Sequence, residues 1–543
     1  LGLVGSEMCI RDRADTVRVA IVGSGLTGLT AAYLLTSTQS TPGKQMHVEL
    51  FERGSMLGMD SQSITVHQSG KDVRIDVPMR AFSHGYYPEL LKLYKSLRIP
   101  FKPMDLTFAF SVLDQELPAD KREGCPPPSL LYGGLARGAR LKFPRSKHSM
   151  LDFLFCSPRR LFSIVFSYLI LVFLACFHTW LGHTHDDHHR LANTPFREWA
   201  QTAWISRYFL DDLLIPMMSS VMTTDAAAIA GIPTADMLHY IAHTFWSQHY
   251  TVRGGVQQVV HALSKPLPPE HIHLGASILD VVPESAGSVR TVALTGEKAN
   301  GSKFCLGGFH HVVFTTQTPQ SALMISQYLE HLRSNPTPTT IEQQDLQRCQ
   351  GMVRQLRSLR YDQSTVLNHS DTTILPRDRS LWRDLNFLRQ SHDAQTELPK
   401  ETHTMATHIV WRAPAGSAPT SPDTIMQTTN PLQSFYPREE CILSHSAFER
   451  FVLTLEGKRA RNSFFTLAAQ HKKTLGMQLG KLQGRFPAGA ESDTTAGPGI
   501  WVSGSWTMGI PLLEGCVTSA RLVSDSILSS HGLSTEHIRK IWA

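Results

Sequence analysis

Charge is scarce in this sequence. Only 18% of its 543 residues are Asp, Glu, Lys or Arg, and 52 basic against 46 acidic residues leave +6 without any dense basic block. So diffuse an excess gives no ground for a nucleic-acid partner and leaves a mild attraction to anionic lipid. The eight cysteines form no C-x-x-C pair and no metal-ligand spacing, so a reduced, intracellular chain with free thiols and no metal is expected. The run His183 to Arg190, HTHDDHHR, is dense in potential ligands. Its spacing does not converge on one ion, and it reads as a solvated loop. No internal repeat is visible.

Aromatic and aliphatic content is ample, with 42% hydrophobic residues, and the length exceeds what one ordinary core accommodates, so two domains are expected. Residues 1–14 blend into no periodic element. They read as a non-native or disordered leader and are set aside.

The informative stretch runs from Val17 to Glu52. Val17 to Val22 is a continuous apolar run of the kind found in a strand buried on both faces. Gly23, Gly25 and Gly28 follow at G-x-G-x-x-G spacing, enclosing Ser24, Leu26 and Thr27, and Leu26 to Leu35 reads as a small-residue helix. One glycine permits the tight turn, one lets a pyrophosphate approach the backbone, and one lets helix and strand pack closely. The helix N-terminus offers unpaired N–H groups to the phosphates. His47 to Phe51 is a second strand, and Glu52 at its end is placed to accept hydrogen bonds from a ribose hydroxyl. Strand, glycines, helix, strand and terminal acid in that order predict a dinucleotide site.

Further segments carry a resemblance. Leu57 to Ser63, Ile75 to Arg80 and the Y-P-x-L run Tyr87 to Leu90 resemble motifs of the flavin-containing amine oxidase and phytoene desaturase superfamily, in its branch of bacterial and fungal NAD(P)/FAD-binding oxidoreductases. Near the other end, Gly499 to Leu522 (GIWVSGSWTMGIPLLEGCVTSARL) resembles that superfamily's C-terminal flavin motif. The resemblance implies an α/β fold: a discontinuous Rossmann-like FAD-binding domain (15–100, 250–325 and 491–533) and a mixed-sheet plus helical substrate domain (101–249 and 326–490). It implies FAD as cofactor, held by the glycine turn, Glu52, Arg53, Met79, Arg80, Ile278, Gly504, Ser505, Leu513, Glu514, Gly515 and Val517. Two departures stand out: Asp60 where the superfamily often has Arg or His, and Ser505 where it often has Glu.

In the substrate domain the resemblance implies a six-stranded type of sheet, with Tyr250, Trp246 and Met222 as candidate lining. Catalytic residues are not legible. Trp506 is a candidate wall and His369, in NHSD, a candidate base. Glu116 to His148 is rich in Pro, Gly and basic residues and reads as irregular connection. Leu161 to Gly182 holds 22 uncharged residues. A single membrane span there would separate the two halves of the flavin site. Two readings remain: a helix buried in the substrate domain, or one lying in the membrane interface.

The expected function is therefore an FAD-dependent oxidoreductase that moves a hydride from an apolar, lipid-like substrate to flavin. Amine oxidation is one alternative, and a flavin-binding structural or membrane-recruited module is another. A cytoplasmic or peripheral membrane location follows, while the oligomeric state is not legible.

Overall fold

The computed structural model describes residues 16–38, 44–68, 70–113, 124–134, 140–144, 150–286, 289–390, 404–413, 422–471, 474–485 and 497–543. The leader read at residues 1–14 lies outside them.

The expected strand–helix–strand unit forms with its boundaries shifted by a residue or two. Strand β1 (Thr16–Val22) leads through the glycine turn into helix α1 (Leu26–Thr36), and the chain returns as β2 (Gln45–Glu52). Both faces of β1 are covered, with Val19, Ala20 and Ile21 fully buried. The β-branched run therefore had no solvent face to encode. β1 lies at the centre of a five-stranded parallel sheet whose order is Ile272–Leu274, β2, β1, His311–Phe314, Gly499–Val502. Three distant stretches of chain supply these strands. The segment expected as one strand from His271 to Val282 is split at Gly275, which sits at φ +65°. Its second half joins a three-stranded antiparallel layer.

Helix α2 (Pro88–Ser96) follows. The second sheet has eight strands rather than six, in the order Ile442–Val452, Arg360–His369, Thr424–Thr429, Met405–Arg412, Leu385–Gln390, Phe108–Leu113, Leu130–Tyr132, Leu141–Lys142. The last two come from the stretch expected to be irregular. Each is only two or three residues long, too short for periodicity to reveal, and they form by adding to the edge at Phe108, whose ring stacks on Tyr132 at 5.5 Å. Helices between residues 196 and 244 complete this part, among them α4 (Thr234–Thr244).

Helix α3 (Met150–Trp180) contains the uncharged run up to Trp180. Only 28% of its most apolar window is buried, which overturns the reading of a helix buried all round. One face is covered, with Ile164, Ser167, Leu171 and Ala175 buried, and α4 packs against the helix. Helix α5 (Leu513–Ser530) packs along α1 and joins the C-terminal part of the chain to the first sheet.

Candidate dinucleotide site

β2 pairs with one edge of β1 and His311–Phe314 with the other, so chain connections leave in opposite directions at the carboxyl end of β1. That is the position where open α/β sheets form a ligand crevice. The glycine turn sits there.

Its three glycines are distinguished by their surroundings. Gly23 takes φ +102°, closed to side-chain-bearing residues, and its carbonyl accepts a hydrogen bond from Thr315 Oγ1 at 2.8 Å. A Cβ on Gly28 would stand 2.0 Å from the Gly23 carbonyl oxygen and 2.7 Å from Thr315 Oγ1, so α1 and the turn approach as closely as backbone allows. A Cβ on Gly25 would meet nothing within 4 Å. The space over Gly25 is open, and α1 begins there with no side-chain cap and no acid in its first turn. Its first N–H groups are therefore bare, in an arrangement suited to a phosphate.

Glu52 is wired into this turn. Its Oε2 accepts from Ser24 N at 3.0 Å and Ser24 Oγ at 2.6 Å, and its Oε1 from Gly54 N at 2.7 Å. A carboxylate has about four acceptor positions, so capacity remains for a ribose hydroxyl. Gly58 closes the other side: its N–H donates to Ser24 Oγ at 2.7 Å, and a Cβ there would touch the Ser24 carbonyl and Gly25 N. Asp60 is buried and paired with Arg74 at 2.6 Å, so this acid has its own counter-charge.

The C-terminal segment meets this turn. Cys516, on the first turn of α5, lies beside Thr27 on the first turn of α1, and burial pushes its thiol's pKa up. α5 also starts without a side-chain cap. Gly515 lets it settle on Ser505, whose carbonyl oxygen would lie 2.7 Å from a Cβ. Gly504 is extended, followed by a turn held by Thr507 Oγ1 on the Gly504 carbonyl at 2.8 Å. Leu513 is half-buried and Val517 fully buried. Glu514 turns its side chain away, capping α2 by accepting from Glu89 N at 2.8 Å and Leu90 N at 3.0 Å. Burial pushes its pKa up to about 8.

The remaining sequence-derived positions are more dispersed. Arg53 is exposed on the loop after β2. Ile278 sits on the strand Ala276–Ala286 beside a bulge, and the preceding Gly275 donates its N–H to the Gly54 carbonyl at 2.8 Å. Met79 N–H donates to Gln427 Oε1 at 2.7 Å, tying this segment to the second sheet. Arg80 donates to the Met59 carbonyl at 2.8 Å, and burial lowers its pKa.

Neither catalytic candidate is disposed for proton transfer. His369 is fully buried; its Nδ1 accepts from Asp371 N at 3.2 Å, leaving Nε2–H to donate to Thr428 Oγ1 at 2.7 Å. Both nitrogens are committed, and burial lowers the pKa to about 4. Trp506 is 2% exposed and packs edge-on against Phe464 at 5.5 Å and Phe465 at 6.2 Å, so it is a core residue. Of the candidate lining residues, Met222 is buried, Tyr250 packs on Phe82 and Phe101, and Trp246 faces solvent.

Sequence reasoning missed Arg450. Its Nε and Nη2 are buried without a hydrogen-bond partner among the described residues, and so is Arg80 Nε. Arg80 acts electrostatically on Arg450, and burial lowers the Arg450 pKa to about 10. Two buried guanidinium groups near each other with unused donors suit an anion. An arginine within an alternating strand, FERFV, carries no local sign of this.

Residues 21–97 match the family described as NAD(P)-binding Rossmann-like domain. The fold of this stretch is Rossmann-like. Among solved structures, the chain is similar to cyclohexylamine oxidase from Brevibacterium oxydans IH-35A, at 11% identity and a TM-score of 0.49, covering 96% of this chain and 99% of that one. No curated protein matches it.

Proposed function

We propose that the chain binds FAD and acts as an oxidoreductase that takes a hydride from an apolar, lipid-like substrate. The observation that carries the cofactor reading is the packing of α5 along α1, with two uncapped helix N-termini close to the open space over Gly25.

The amides of Gly25 to Gly28 would hold the pyrophosphate, and Glu52, oriented by Ser24, the adenosine ribose. Gly504, Ser505 and the amides of Leu513 to Gly515 would face the ring. A bound flavin supplies a two-electron acceptor for a hydride from a C–H bond. The protein's part would be to position and dehydrate that bond, and the α5 N-terminus would favour negative charge on a ring held there. No side chain here is assigned a proton-transfer role. An apolar substrate is supported by the uncharged run carried by α3.

The test is direct. The purified protein should be yellow, release FAD on denaturation, and bleach anaerobically with an apolar lipid-like substrate. Bleaching by amines alone, with peroxide release in air, would replace the substrate half of the proposal by amine oxidation. A colourless protein that takes up no FAD would refute it altogether.

A further inference from the structure

We propose that the outward face of α3, together with Trp204 and Trp246, docks on the surface of an anionic lipid bilayer. The inference stands on the surface alone and does not depend on the cofactor.

α3 has two apolar faces. Ile164, Ser167, Leu171 and Ala175 recur at three and four residues and pack inward. Phe162, Leu169, Phe173 and Trp180 recur on the other side, each between 59% and 81% exposed. Both faces being apolar, sequence periodicity could not tell them apart.

The strip is widened by two loops. Ser206 donates its N–H to Ser167 Oγ at 3.0 Å and accepts from Ser163 Oγ at 2.7 Å, which fixes Trp204 beside the middle of α3. The Tyr168 ring lies 6.3 Å from Phe245, whose ring meets that of Trp246 edge-on at 5.7 Å, which places Trp246 near the same helix. Both tryptophans are more than 70% exposed, and both sit in the left-handed region, at φ +62° and +55°. Bulky residues rarely occupy that region, so the fold bears strain at two positions that present indole rings to solvent.

Several features select a lipid surface as the occupant. Tryptophan is the residue best matched to the boundary between headgroups and acyl chains. The strip carries no charge from Leu161 to Trp180, whereas the rim of a protein interface is polar. Arg159, Arg160 and Arg207 are exposed where the strip begins, complementary to anionic headgroups. Because the inner face is packed on the domain, the helix would lie along the membrane rather than cross it.

Sedimentation of the purified full chain with phosphatidylcholine vesicles, with and without phosphatidylserine, tests the proposal. Binding is expected to be stronger with phosphatidylserine and weaker in salt. Trp204→Ala/Trp246→Ala should lower partition by about tenfold or more, and Arg159→Gln/Arg160→Gln should remove the phosphatidylserine preference. Brominated lipid should quench tryptophan fluorescence in the wild type and much less in the double tryptophan variant. If that variant loses its native circular dichroism, Phe162→Ser/Phe173→Ser takes its place with the same expectation. Absence of vesicle binding, or binding untouched by these substitutions, overturns the proposal. So does a wild-type dimer that the same substitutions split, since the strip would then be covered by a second copy of the chain.

Discussion

Gly25→Ala separates cofactor binding from folding. Gly25 adopts φ −63° and ψ −179°, a conformation open to any residue, and its Cβ would meet nothing in the protein. The folded protein without cofactor should therefore keep its stability within about 0.5 kcal/mol. The methyl group would instead fill the space a pyrophosphate needs. Losing even one charge-assisted hydrogen bond costs about 1.5–3 kcal/mol, so FAD affinity should fall on the order of 100-fold, or ~2.7 kcal/mol. FAD at about 100 times its Kd stabilises a folded protein by about 2.7 kcal/mol. Wild type should thus melt at a clearly higher temperature with FAD than without, and Gly25→Ala should lose most of that difference. Gly28→Ala is the contrasting control. Its Cβ would lie 2.0 Å from the Gly23 oxygen and 2.7 Å from Thr315 Oγ1, so overpacking plus a lost hydrogen bond should cost roughly 2–4 kcal/mol before any ligand is added. Thermal melting of both variants, with and without FAD, is the assay. A full FAD-dependent shift in Gly25→Ala would refute the reasoning.

Three other perturbations have definite signs. His369 has a folded pKa of about 4 against an ordinary 6.5, because burial disfavours its charged form. The folded state then binds fewer protons between those values, and about 3 kcal/mol of stability present above 6.5 is lost as pH falls through 4; urea midpoints across this range should show it, with a flatter profile for His369→Gln. Glu514 behaves in the opposite sense, its pKa raised by burial from 4.5 to about 8. Its contribution is present below 4.5 and lost as pH rises through 8, so Glu514→Gln should soften the alkaline loss of stability in the same titration. Lys458 is buried with its Nζ 2.8 Å from Asp236 Oδ2, and Arg461 lies 3.6 Å from the other oxygen. Lys458→Met leaves a buried carboxylate short of charge and should cost about 3 kcal/mol, read from the urea midpoint, with Asp236→Asn added to it restoring part of the loss.

Legibility varied with the length scale of the interaction. The unit from Thr16 to Glu52 could be read because each of its signals is local: a run covered on both faces, glycines that answer to backbone geometry, and an acid at a strand end. The short strands at Leu130–Tyr132 and Leu141–Lys142 could not be read, since they exist only because the edge at Phe108 is there to pair with. His369 looked like a base in sequence. Only the fold revealed that a backbone N–H occupies one of its nitrogens. Arg450 gave no local signal, because its unused donors follow from where its strand runs past Arg80. The helix at Leu161 was legible as apolar and helical, yet which of its faces meets the protein was decided by the packing of α4.

The sequence by itself determined the glycine turn, the strands beside it and the apolar helix, since each depends on neighbours within a few residues. Only the tertiary structure decided that Cys516 reaches Thr27, that Asp60 finds Arg74, and that two tryptophans stand beside α3. These juxtapositions join residues far apart in the chain. They depend on how sheets and helices pack, which leaves no period or spacing in the linear order of residues.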